Sequence, residues 1–148
     1  MKATTWPQVV ARLRDERDYW LGTVAADGSP HASPVWAAFV GDDLYVYTER
    51  RTVKARNLAA DPRAVLHLGD AADVVIVHGR LDDLGHPREH PAVLAAFAAK
   101  YRRPEDQEFL PANNPDFDVL YRLRATRAQL WQLADYDASQ TRWTPDPR

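Results

Sequence analysis

Between Tyr19 and Leu68 the chain reads YWLGTVAADGSPHASPVWAAFVGDDLYVYTERRTVKARNLAADPRAVLHL: four strand-forming runs, two strong turn signals and one short helix before the last run. Asp27-Gly28 ends the first run, Trp20 to Ala26, and Pro30 confirms the break. Gly41-Asp42-Asp43 separates the second run, His31 to Val40, from the third, Leu44 to Thr48. Runs joined by such short connections pair antiparallel, so the segment is expected to fold as a meander of two hairpins. Thr52 then caps a helix over 52–60, which Asp61-Pro62 stops.

The flanking segments extend this pattern. Thr5 and Pro7 open an N-terminal helix within residues 1–18, with Val9, Val10 and Leu13 on one face and an end near Asp18. Ala64 to Leu68 and Val74 to Arg80 read as strands and complete a barrel core over 19–85. Within 86–104, the stretch from Pro91 to Tyr101 is a helix with the stripe Val93, Leu94, Phe97 and Tyr101. A polar, proline-punctuated loop spans Arg102 to Asp118. Val119 to Ala125 and Ala128 to Leu133 are expected as a hairpin over 119–134, and 135–148 as a tail. Helices inserted among strands, rather than alternating with them, disfavour a parallel sheet. The expected class is mainly β with inserted helices (α+β), one domain over 1–148, built on a closed or nearly closed antiparallel barrel that leaves few exposed edges.

Composition removes several functions. Nineteen basic against 21 acidic residues give a net charge of −2, which argues against a nucleic-acid binder. The absence of cysteine excludes disulfides, thiolate metal sites and thiol nucleophiles. No apolar run approaches the ~20 residues of a membrane-spanning helix. The N-terminal stretch is charged throughout, and the expected setting is the cytoplasm.

Four constellations carry chemistry. From Arg50 to Arg63 there are five basic residues and one acid. Within that run Thr48 and Thr52 hydroxyls, helix-start amides and the Lys54 ammonium suit a phosphate, and Asn57 lies one turn on from Lys54; the other reading is a solvated basic helix face. Ser33-Pro34-Val35-Trp36 places a proline inside a strand, which frees backbone groups for the polar edge of a planar heterocycle or protects a strand edge. His86-Pro87-Arg88-Glu89-His90 has the H-x-x-E-H spacing, but Pro87 and Pro91 oppose the single helical face that zinc needs, so no metal site is expected. His31, His67 and His78 sit in strands. Trp131, Tyr136, Arg142 and Trp143 cluster near the C-terminus, as core aromatics or as a ligand cover. There is no nucleophile elbow, P-loop or dinucleotide fingerprint. No side chain is a self-sufficient catalyst, so any catalysis rests with a cofactor.

The ordered set LGTVAADGSPHASPVWAAFVGDDLYVYTERRTVKARNLAADPRAVLHL with VVIVHGRLDDL resembles the pyridoxamine 5′-phosphate oxidase-like split-barrel family, and TVKARNLAADPR its actinobacterial deazaflavin (coenzyme F420) reductase branch. The resemblance covers residues 19 to 85 well and the C-terminal part weakly. It implies a six-stranded antiparallel split β-barrel homodimer with FMN or F420 in a cleft at the subunit interface. The backbone of Ser33, Pro34, Val35 and Trp36 would flank the ring, and Tyr47 and Thr48 the ribityl chain. Thr52, Val53 and Lys54 would take the phosphate, with added charge from Arg50 or Arg51. Trp131-Gln132 and Arg142 resemble the oxidases' C-terminal elements. Thr52 stands where many relatives carry a basic residue, and the arginine-rich substrate-phosphate signature is not evident. The implied activity is hydride transfer between F420 or FMN and a small organic acceptor. The alternative is a non-catalytic cofactor- or haem-binding module.

Overall fold

The computed structural model describes residues 1–146. In chain order its elements are β1 (Lys2–Ala3), α1 (Trp6–Leu13), β2 (Tyr19–Val24), β3 (Pro30–Val35), β4 (Ala37–Val40), β5 (Asp43–Thr48) and α2 (Val53–Ala60). These are followed by β6 (Arg63–His67), β7 (Asp73–Asp83), α3 (Pro91–Lys100), β8 (Val119–Gln132), α4 (Tyr136–Ser139) and β9 (Thr141–Trp143). Short 3-10 turns cover Pro87–Glu89, Pro104–Phe109 and Leu133–Asp135.

The N-terminal helix starts where its cap predicts. The Thr5 hydroxyl accepts from the Gln8 N–H at 3.3 Å, and the Gln8 side chain accepts from the Thr5 N–H at 3.2 Å. Val9, Val10 and Leu13 are buried. It ends at Leu13 rather than near Asp18, because Arg14 to Asp18 offer no apolar side chain to the core. The Tyr19 hydroxyl meets the carbonyls of Leu13 (2.5 Å) and Glu16 (2.9 Å) as the chain turns.

Both hairpins form. β2 pairs antiparallel with β3, from Tyr19↔Val35 to Val24↔Pro30, and β4 with β5, from Ala37↔Val46 to Val40↔Asp43. The expected single strand from His31 to Val40 is instead two strands, broken at Trp36. The cause lies in α3. The Ala37 N–H donates to the Tyr101 hydroxyl at 3.1 Å, and the Ala37 carbonyl accepts from Lys100 Nζ at 2.8 Å. Side chains thus take the backbone groups that a continuous ladder would use.

The expected C-terminal hairpin is one strand of 14 residues. β7 runs beside β8 for its whole length and supplies the backbone partners that would otherwise favour a turn. A bulge between His78 and Gly79 leaves Thr126 as the extra residue on β8. Gly79 is needed there, since a Cβ would come within 2.5 Å of the Arg124 carbonyl oxygen.

The hydrogen-bonded order is β1-β9-β8-β7-β6-β2-β3, with β5 also on β8 and β4 on β5. The result is a nine-stranded, open, mixed sheet rather than the six-stranded antiparallel barrel expected. β1 and β9 run parallel. β3 and β4 lie at two ends of the paired path yet are consecutive in the chain through Trp36, so the break sits where the sheet opens. One core cluster packs the sheet against α1 and α2 through Leu13, Leu21, Leu58, Leu66 and Val77. A second, under α3, gathers Tyr47, Val93, Phe97, Tyr101, Leu110 and Leu120. Leu94 of the expected stripe is only partly buried. Among the described residues no helix is long and apolar enough to cross a membrane.

Candidate functional site

Several pieces of chain, among them Asp18 just before β2, converge on a cavity of about 380 Å³. Pro34, Val35 and Trp36 come from the strand break, Tyr47 and Thr48 from the end of β5, and Lys54 from the first turn of α2. The β5–α2 connection is short because Thr52 caps the helix, its hydroxyl accepting from the Ala55 N–H at 3.3 Å and donating to the Glu49 carbonyl at 2.8 Å. Thr48 Oγ1 lies 3.4 Å from Thr52 Oγ1. The cap directs the first turn of α2, and with it the Lys54 ammonium, toward the cavity.

Lys54 is half-buried and has no hydrogen bond or ion pair among the described residues. Burial draws its pKa below that of an ordinary lysine, opposed only by the charge of Glu49. A desolvated ammonium of this kind is stabilised by an anion entering the cavity. Thr48, buried in the same lining, offers a further hydroxyl, since Thr52 is engaged as the cap. The donor set therefore suits a ligand with one anionic group at the α2 end and a flat body toward Trp36.

Aromatic walls complete the site. Tyr47 donates its hydroxyl to the Phe109 carbonyl at 2.6 Å and meets the Phe117 ring edge-on at a centroid separation of 5.1 Å. Trp36 meets the Phe109 ring edge-on at 6.5 Å. Phe109 and Phe117 line the cavity and were missed from sequence. Their one signal is that they are the only aromatic residues in the polar loop after α3.

The remaining expected site residues lie elsewhere. Ser33 adjoins Pro34, and its Oγ is buried without a partner among the described residues. Arg51 is exposed and paired with Glu49, and Arg50 is held by Asp83 at 2.8 and 3.0 Å. Val53 is exposed. Asn57 does not face outward with Lys54: it is buried, and its Nδ2 donates to Thr23 Oγ1 at 3.1 Å. Positions i and i+3 are offset by about 60° around the helix, and that offset leaves Lys54 at the rim while Asn57 sits against β2. Trp131 lies against Tyr136 and lines a different cavity, and Arg142 sits on β9 opposite Gln129, so neither reaches Lys54 within the chain. His90 Nε2 lies 2.8 Å from the Leu84 carbonyl oxygen, and His86 caps the Pro87–Glu89 turn.

A second cavity, of about 610 Å³, opens where β2, β3, β6 and β7 meet, with His31, His67 and His78 on a largely apolar lining. His67 Nδ1 lies 2.8 Å from the Leu68 carbonyl oxygen, and His31 Nδ1 is buried without a partner among the described residues. Burial, and then the charge of Arg127, lower the His78 pKa.

The open mixed sheet with inserted helices is the fold of the pyridoxamine 5′-phosphate oxidase class. The family model for pyridoxamine 5′-phosphate oxidase matches residues 5–132, and the chain belongs to that family. No curated protein matches the chain. Among solved structures it is similar to a conserved hypothetical protein from Mycobacterium tuberculosis, at 22% identity and a TM-score of 0.73, over 88% of this chain and 86% of that one. It is also similar to an F420 reductase, at 23% identity and TM-score 0.65 over 80% and 94% of the two chains. A haem-binding protein from Mycobacterium smegmatis shares 21% identity at TM-score 0.69, over 94% of this chain but 56% of that longer one.

Proposed function

We propose that the protein is an oxidoreductase that holds F420 or FMN in the cavity between the strand break and α2 and serves a small organic acceptor. The observation that carries this reading is the half-buried Lys54 ammonium, without an ion-pair partner among the described residues, in a cavity also lined by Pro34, Val35 and Trp36. Family membership and the similarity to an F420 reductase support it. When bound, such a cofactor supplies hydride transfer. Lys54, with Thr48, would hold the anionic end. Backbone groups on the unpaired edge of β3 and at Trp36 would orient the polar edge of the ring, and Phe109 and Phe117 would keep water from its face. The outer surface of β2, β6 and β7, where Trp20 is 41% exposed and Val24, Val65 and Ile76 are incompletely buried, suits a homodimer contact. Consumption of reduced F420 or reduced FMN on adding a quinone, enone or imine acceptor tests the activity; binding without turnover by any of these would contradict it.

A second reading, a non-catalytic haem-binding module, is favoured by the apolar cavity carrying His31, His67 and His78. The similar Mycobacterium smegmatis protein is described as haem-binding. A Soret band on adding hemin, lost in His67→Ala or His78→Ala, would support this reading, and its absence would remove it.

A further inference from the structure

On the far side of the Trp36–Tyr101 pair from the Lys54 cavity lies another, of about 560 Å³, lined by Asp15, Arg17, Lys100, Tyr101, Arg102 and Arg103. We infer that it is a second binding site, for a small dianion such as a tetrahedral oxyanion or a dicarboxylate. Four cations face one carboxylate in that lining. Only Arg17 has an ion-pair partner among the described residues, the buried carboxylate of Asp106, which it meets with both guanidinium nitrogens. Arg102 and Arg103 are exposed and hold no carboxylate.

Lys100 is the centre of the site. Its Nζ donates to the Tyr19 hydroxyl at 2.7 Å and the Ala37 carbonyl at 2.8 Å, and lies 4.7 Å and 5.3 Å from the ring centroids of Tyr19 and Tyr101. Every partner is neutral, and the third N–H has no acceptor among the described residues. The ammonium is therefore held in place by dipoles and π-faces with its charge unmatched at short range. Burial lowers its pKa to about 8, against the longer-range pull of Asp15, Glu16 and Asp18 and with a small contribution from Arg14. An anion in the cavity supplies the missing counterion, while Arg102 and Arg103 close over it with charge-assisted hydrogen bonds. Because Arg17 lies 5.1 Å from the Trp36 ring centroid, occupancy is sensed at the wall of the neighbouring cavity.

The test follows the intrinsic tryptophan fluorescence of the intact protein during titration with sulfate and, separately, succinate. Both stay dianionic from pH 7 to 9.5. The proposal expects saturable binding of at least one, and the preferred probe identifies the ligand's shape. Binding should weaken by about tenfold in the exposed double variant Arg102→Gln/Arg103→Gln and survive Lys54→Ala, which separates this site from the cofactor cavity. It should also weaken by about tenfold from pH 7 to 9.5, as the Lys100 ammonium is lost. No saturable binding of either ion, binding abolished by Lys54→Ala, or binding indifferent to the double variant would each overturn the proposal.

Discussion

The indole of Trp36 lies flat against the phenol ring of Tyr101, with centroids 4.1 Å apart and planes 6° from parallel. Trp36 is where β3 gives way to β4, and Tyr101 follows the last residue of α3. The Tyr101 hydroxyl accepts the Ala37 N–H and donates to the Arg17 carbonyl at 2.7 Å. One side chain therefore fixes the strand break, the preceding turn and the wall of the candidate site together.

Removing that hydroxyl separates the stack from the hydrogen bonds. Tyr101→Phe keeps the ring on Trp36 but leaves the Ala37 N–H buried without an acceptor, at an expected cost of about 1–3 kcal/mol. Tyr101→Ala also opens a cavity and is expected to cost about 3–5 kcal/mol. Urea denaturation midpoints of the two variants check both values.

Asn57 separates a structural role from a binding one. Its amide is spent on Thr23, so Asn57→Ala is expected to lower stability by about 1–3 kcal/mol and to leave cofactor affinity unchanged. A large loss of affinity at unchanged stability, measured by titration and denaturation together, would show that Asn57 faces the ligand after all.

Stability should depend on pH through Lys100. Its pKa is lowered to about 8 in the fold, whereas the unfolded chain holds the proton to about 10.4. Between those values the unfolded state binds more protons, so stability rises with pH across that window and is lost as pH falls through 8. Partial exposure limits the gain to about 1 kcal/mol. Above about pH 10 the trend reverses, because burial raises Tyr19, Tyr47 and Tyr101, and the unfolded tyrosines lose their protons first. Denaturant midpoints at pH 7, 8.5 and 9.5 test the rise, which Lys100→Met should reduce to the smaller part that Lys54 contributes.

Features set by local chemistry were legible in the sequence. Thr5 and Thr52 cap the helices they were expected to cap, and the two turn signals yield two hairpins. Pro34 marked the interrupted strand, and Lys54 reached a cavity shared with Pro34, Val35, Trp36, Tyr47 and Thr48. Features set by distant partners were not legible. The break falls at Trp36 because Lys100 and Tyr101, more than 60 residues on, take the Ala37 backbone groups. β8 stays continuous because β7 pairs with it throughout. β1 and β9, of two and three residues, are too short to carry a periodic signal, and together with the split of the His31 to Val40 run they bring six expected strands to nine. Asn57 turned inward for Thr23, and Phe109 and Phe117 reached the site from a loop with no regular pattern.

Fluorescence-quenching titration with FMN and with F420, on the native protein and on Lys54→Ala, tests the central claim most directly. Saturable binding of at least one cofactor, weakened by about 10–100-fold in the variant, is the expected result, since one charge-assisted contact is worth about 1.5–3 kcal/mol. Equal affinity in the two proteins, or no saturable binding of either cofactor, would contradict it.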